Sequence, residues 1–171
     1  RIFSQPVKEL EGLRSAVKKI QNMDIASSVD LTPQLGFAPS QAEMVLNFET
    51  VDAAANFGVE LSNGKGEKYR IGYNAAANQF YSDRTQSGNF AFSGKFGTKV
   101  HTASRVSKDK NIRLHLFFDT ASAELFADDG ATVMTDIFFP SEDFSQVTIY
   151  AENGKVKLLN GEAWSLKSIW R

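Results

Sequence analysis

Five carboxylates crowd the stretch Leu114–Pro140: Asp119, Glu124, Asp128, Asp129 and Asp136. Paired acids of this kind hydrolyse glycosidic bonds, about 5–5.5 Å apart in retaining enzymes and about 6.5–9.5 Å apart in inverting ones. Glu124 stands out because it lies between Ala123 and Leu125-Phe126, an apolar setting that invites an enzymatic reading. A half-buried glutamate bound to backbone or to arginine is the commoner case, and Glu124 is read here as a carboxylate that fixes strands. Arg84 is the first partner to consider for it. Asp128 and Asp129 fall in a turn, where acids serve local backbone hydrogen bonds. The acid spacing matches no EF-hand loop.

Other chemistries find less support. The chain has no cysteine and only two histidines, His101 and His115, which removes thiolate nucleophiles, disulfides and multi-histidine metal centres. Nothing reads Gly-x-Ser-x-Gly, and neither histidine has a recognisable triad partner, so both are read as surface or packing residues. The glycines and lysines of SNGKGEK lack the spacing of a phosphate loop and read as a turn. No catalytic residue, metal ligand or cofactor site is expected. Asp83-Arg84 in YSDRTQSG is read as a structural or interdomain pair, because the planar guanidinium fork suits locking strands through a carboxylate. Tyr73, Tyr81, Trp164 and Trp170 are the aromatic residues that could stack on a sugar ring, although aromatics in a sandwich are usually core.

The elements that must position these groups are β. Tyr69, Ile71 and Tyr73 alternate with Lys68, Arg70 and Gly72, and Ile112, Leu114, Leu116 and Phe118 share one face of another run. Met44–Phe48 forms a compact apolar strand. Asn63-Gly64, Asp129-Gly130, Asn153-Gly154 and Asn160-Gly161 are expected to turn the chain between strands. The fourteen phenylalanines suit an interface between two sheets. The start differs, since Val7, Leu10, Leu13, Val17 and Ile20 recur at helical spacing behind Pro6. The expectation is an all-β, two-sheet antiparallel sandwich of jelly-roll or concanavalin-like type, preceded by one short N-terminal helix.

Composition agrees with one ordinary domain, with 42% hydrophobic and 23% charged residues among 171. Twenty acidic residues face nineteen basic ones, and no basic stripe suggests nucleic acid. No apolar run approaches the length of a membrane helix. The chain opens on Arg1 and reads as a mature protein or a piece of a longer one.

Three ordered blocks resemble the C-terminal β-sandwich of glycoside hydrolase family 32, the β-fructosidases that include invertases, inulinases and levanases. Gln5–Arg14 resembles the helical linker after the catalytic propeller. Asn78–Gly88 resembles the strand carrying Asp-Arg and Ser-Gly. Asp119, Ser122, Glu124, Phe126, Asp129-Gly130 and Phe139-Pro140 resemble a third block, with Asp128 where the family usually has Asn and Thr120-Ala121 where a bulkier residue is common.

The resemblance implies residues 1–22 as the linker and 23–171 as the sandwich. It implies a five-bladed β-propeller of the same polypeptide as partner, with fructan as a further candidate. The family's nucleophile, Arg-Asp-Pro and Glu-Cys blocks are absent, so no hydrolysis is expected of this chain alone, while the parent would be a fructan- or sucrose-cleaving glycosidase. Export to the periplasm, cell surface or medium of a bacterium follows from polymeric substrates. A carbohydrate-binding module with its own fructan site is the alternative reading.

Overall fold

The computed structural model describes residues 2–168. Among these residues thirteen strands follow one another: β1 Lys18–Ile20, β2 Met23–Ile25, β3 Ser28–Asp30, β4 Ala42–Thr50, β5 Asn56–Ser62, β6 Lys68–Asn74, β7 Gln79–Gln86, β8 His101–Ser104, β9 Asn111–Asp119, β10 Ser122–Ala127, β11 Thr132–Ile137, β12 Gln146–Glu152 and β13 Val156–Ser165. They form two antiparallel sheets. The first runs β1-β13-β4-β9-β10-β11, with β2 also on β13, and the second runs β3-β12-β5-β6-β7-β8.

Period-two alternation decides which side chains enter the sandwich. Ile112, Leu114, Leu116 and Phe118 of β9 face inward, as do Phe57, Val59 and Leu61 of β5 and Tyr69, Ile71 and Tyr73 of β6. Six phenylalanines are buried, namely Phe48, Phe57, Phe80, Phe118, Phe138 and Phe144. Their rings pack tilted or edge-on, with centroids 5.0 Å apart for Phe48–Phe57 and 5.3 Å apart for Phe138–Phe144. Each such burial contributes about 2 kcal/mol against exposure. Phe90, Phe92, Phe96 and Phe139 instead form a separate cluster beyond the sheets.

Two of the four expected turns are hairpins. Asn63-Gly64 joins β5 to β6, and Asp129-Gly130 joins β10 to β11. Asn153-Gly154 carries the chain from β12 in one sheet to β13 in the other, so it is a corner and not a hairpin. Asn160-Gly161 is no turn at all. It lies inside β13, where the register with β4 shifts between Leu158 and Asn160. Gly161 is needed there because a Cβ would sit 2.8 Å from Leu46 and 3.1 Å from Ile20.

The N-terminal helix is shorter than its apolar spacing suggests. Only Lys8–Leu13 coils, as a 3-10 helix, and Arg14 is already extended and bridges Leu166. Lys18–Ile20 instead takes the edge of β13, burying Ile20 against Gly161. A short helix gains little by itself in water, whereas an open strand edge offers a full set of backbone partners.

On the outer face of the second sheet, Tyr150, Gly58, Gly72 and Tyr81 stand side by side in register across β12, β5, β6 and β7. A Cβ on Gly58 would lie 2.2 Å from the Ile71 carbonyl oxygen. Gly58→Ala should therefore cost about 2 kcal/mol or more through forced backbone movement. Urea unfolding reads this as a lowered midpoint, and an unchanged midpoint would contradict the close approach.

Candidate functional site

The most deeply buried charge lies on the outer face of the first sheet. Met44, Leu46 and Phe48 of β4 point inward, so Glu43 points outward, yet it has no exposed surface. It is covered by the N-terminal segment. Arg14 grips Glu43 with both arms of its guanidinium, Nε to Oε2 at 2.7 Å and Nη2 to Oε1 at 2.6 Å. His115 of β9 places Nε2 2.7 Å from Oε1, which assigns the proton to that nitrogen. Arg14 also lies 4.4 Å above the Trp164 ring.

The segment is pinned at both ends of this clamp. The Ser4 amide donates to the Gly130 carbonyl at 3.1 Å, and the Ser15 amide donates to the Ser165 carbonyl at 2.9 Å. Gly130 (φ +84°) is required twice over, since a Cβ would lie 1.8 Å from the Ser4 carbonyl oxygen.

Two further carboxylates close the sandwich edge. Asp136 of β11 is buried and accepts Arg84 Nη1 at 2.7 Å, Ser82 Oγ at 2.6 Å and His101 Nδ1 at 3.1 Å. Arg84 and Ser82 belong to β7 of the opposite sheet, so this cluster ties the two sheets together. The Arg84 guanidinium stacks 3.8 Å from the Phe96 ring centroid. Asp128 accepts Arg105 Nε at 2.6 Å, while the other guanidinium nitrogens donate to the Asp109 and Asn111 carbonyls, each at 2.8 Å. That pair fastens the 105–111 loop to the β10–β11 turn.

The residues singled out in the sequence take other places than expected. Arg84 pairs with Asp136 and not with Glu124. Along β10 and β11, Asp136 is in register with Ala123 on the inner face, whereas Glu124 is in register with Thr135 on the outer one. Among the described residues the Glu124 carboxylate finds no hydrogen-bond or ion-pair partner. It lines a cleft of about 290 Å³ between the 3-10 helix and β9–β10, together with Asp119, Phe117 and Leu13. Asp119 is exposed and accepts the Thr120 amide at 2.8 Å. Asp83 does not touch Arg84 and accepts the Thr85 amide and hydroxyl at 2.9 and 2.7 Å.

Three of the four candidate stacking residues do not present a free ring. Tyr73 lies in the core between Phe57 and Phe80, Tyr81 folds over the glycine pair, and Trp164 lies beneath Arg14. Trp170 is outside the described residues. Among those residues no cluster of three or more metal-ligating side chains is present.

Sequence reasoning missed Arg14, Glu43 and Arg105. The readable signal was an acid, Glu43, set among the apolar residues Ala42 and Met44–Leu46 of β4.

The family is decided by comparison. The sequence model described as "Glycosyl hydrolases family 32 C terminal" matches residues 9–165. The chain belongs to this family. It is 34% identical over 173 residues to a levanase of Bacillus subtilis (strain 168), covering 99% of this chain and 25% of that protein. An extracellular exo-inulinase of Aspergillus awamori is 28% identical over 127 residues, covering 73% of this chain and 24% of that protein. The crystal structure of exo-inulinase from Aspergillus awamori superposes with a TM-score of 0.80 at 21% identity, over 98% of this chain and 33% of that one, which shows a shared fold. The family 32 C-terminal domain thus spans about a quarter of the length of these two curated relatives.

In this family 32 domain the clamp has a definite pH dependence. Burial is the largest influence and pushes the Glu43 carboxyl up, but hydrogen bonds and charge from Arg14 and His115 outweigh it and hold the group below its usual 4.5. A folded value below the unfolded one contributes stability that is complete above the unfolded value and is lost as pH falls through the folded one. Glu43→Gln should cost about 2 kcal/mol at pH 7, and its deficit against the native protein should shrink as pH falls from 5 to 3. Denaturant unfolding across that range tests this, and a pH-independent deficit would contradict it.

Proposed function

We propose that this domain is the non-catalytic C-terminal module of a fructan- or sucrose-cleaving glycosidase, and that it docks on the enzyme's catalytic β-propeller and stabilises it. The supporting relatives are named levanase and extracellular exo-inulinase, and the domain matches only a minor part of each. The linker reading of the first residues becomes narrower in this proposal. Residues 4–14 are the connecting segment, laid on the sandwich by the Arg14–Glu43 clamp, and the sandwich begins with β1.

The observation that carries the proposal is an apolar strip along the edge of the first sheet. Val133 and Ile137 point outward from β11, Phe139 follows them, and the Phe92 ring packs edge-on against Phe139 at 5.4 Å. Phe92 is 62% exposed. Val7 of the N-terminal segment, also exposed, lines one cavity with Phe126, which is in register with Val133. Exposed apolar groups gathered along one edge are the mark of a protein interface, here one formed within a single polypeptide.

Nothing in the cleft beside Glu124 argues for hydrolysis. The family's nucleophile, Arg-Asp-Pro and Glu-Cys blocks do not occur in the sequence, and Asp119 beside Glu124 is held by the Thr120 amide of its own turn. Export fits the extracellular relative and substrates that are polymers; no helix among the described residues is long and apolar enough to cross a membrane.

Two measurements test the proposal. The purified chain should release no fructose from sucrose, inulin or levan, and release abolished by Glu124→Gln would overturn the non-catalytic reading. In the whole protein, Phe92→Ser combined with Ile137→Thr should shorten the half-life of activity at elevated temperature by about a hundredfold with KM unchanged, since withdrawing each apolar side chain from the interface removes about 1.5 kcal/mol and about 1.4 kcal/mol is a factor of ten. An unaltered half-life would contradict docking through this strip.

A further inference from the structure

The outer face of the second sheet holds a feature that docking through the first sheet does not use. Across β12, β5, β6, β7 and β8, Tyr150, Gly58, Gly72, Tyr81 and Thr102 lie side by side in register. The two glycines leave the middle of the face without side chains. The flanking tyrosines lean in from either side until the Tyr81 and Tyr150 hydroxyls hydrogen-bond to each other. A Cβ on Gly72 would meet the Tyr81 hydroxyl at 2.8 Å. The result is a groove of about 340 Å³, a size within the range of small-molecule sites.

One side of the groove is the amide row Asn56, Asn74 and Gln79, again in register. The Asn56 Oδ1 oxygen is buried and has no hydrogen-bond partner. A buried acceptor left unpaired carries a cost of about 1–3 kcal/mol, so a donor supplied from outside is favoured there. The other side is Arg70, which donates to Glu60 at 2.5 Å and to Glu152 at 2.8 Å and lies 4.4 Å over the Tyr150 ring. Its charge is already matched. With Asp83 also at the rim, the groove carries excess negative charge, which disfavours phosphate or carboxylate ligands. Burial holds both phenols in their neutral form, able to give and accept hydrogen bonds. What remains is a shallow groove over the paired Tyr81 and Tyr150, bordered by neutral amides and hydroxyls, with one acceptor in need of a donor.

We propose that this groove is a subsite for a neutral saccharide, in which a sugar hydroxyl donates to Asn56 Oδ1. The groove's affinity for a saccharide stands on its own geometry, whereas its preference for fructans rests on the function proposed above.

Calorimetric titration of the purified chain, without the catalytic domain, with inulin-derived oligofructose, levan oligosaccharides and maltohexaose tests it, alongside Asn56→Ala and Gln79→Ala. Fructan binding at micromolar to low-millimolar affinity is expected, weakened about fivefold or more by each substitution. The melting temperature of Asn56→Ala should not fall, because the acceptor removed had no partner. Binding of maltohexaose alone, sensitive to Asn56, would support the subsite and overturn its fructan assignment without touching the docking proposal. Fructan binding identical in both variants, or no saccharide binding at all, would overturn the subsite.

Discussion

A carboxylate without exposed surface sits on what would otherwise be the solvent face of a sheet, and the outer architecture of the domain follows from it. Glu43 can be charged there only because Arg14 supplies a two-armed guanidinium and His115 a third donor. Removing two charges from water is costly, and the cost is offset when every acceptor position is filled with good geometry. The arginine stands 29 positions away in sequence, so satisfying Glu43 draws the N-terminal segment across β4, β9 and β10. Once there, the segment is fixed at the Gly130 turn and at Ser165, and it behaves as a part of the sandwich.

The same device recurs at the sandwich rim. Asp136 joins the two sheets through Arg84, and Asp128 holds a loop against a hairpin through Arg105. In each case a carboxylate, an arginine and nearby backbone or hydroxyl groups complete one another, so these acids serve architecture. What they leave to solvent is an apolar strip at one sheet edge and a polar groove on the opposite sheet.

Much of this fold was legible in the sequence because period-two alternation is a local property. The inner face of β9 and the β10–β11 hairpin at Asp129-Gly130 could be read directly. Asn160-Gly161 looked the same as a hairpin dipeptide but serves a bulge, since the close approach of Ile20 and Leu46 is a long-range fact. The N-terminal helix ends at Leu13 for a related reason, because the apolar spacing beyond it was outweighed by the open edge of β13. Strand parity could have placed Arg84: it shares the inward positions of β7 with Phe80 and Ser82, and Asp136 shares the inward positions of β11, whereas Glu124 faces out. Glu43 was hidden because its burial depends on a segment that no local pattern connects to β4.

The central claim is that the Arg14–Glu43 pair binds the N-terminal segment to the sandwich. A double-mutant cycle with Arg14→Ala, Glu43→Ala and the double variant, read by denaturant unfolding at pH 7, measures that coupling free of each residue's other contacts. The account predicts a coupling of about 2 kcal/mol, as befits a charged, two-armed hydrogen bond to a buried acid. A coupling within about 0.5 kcal/mol of zero, the range of additive sites, would contradict it.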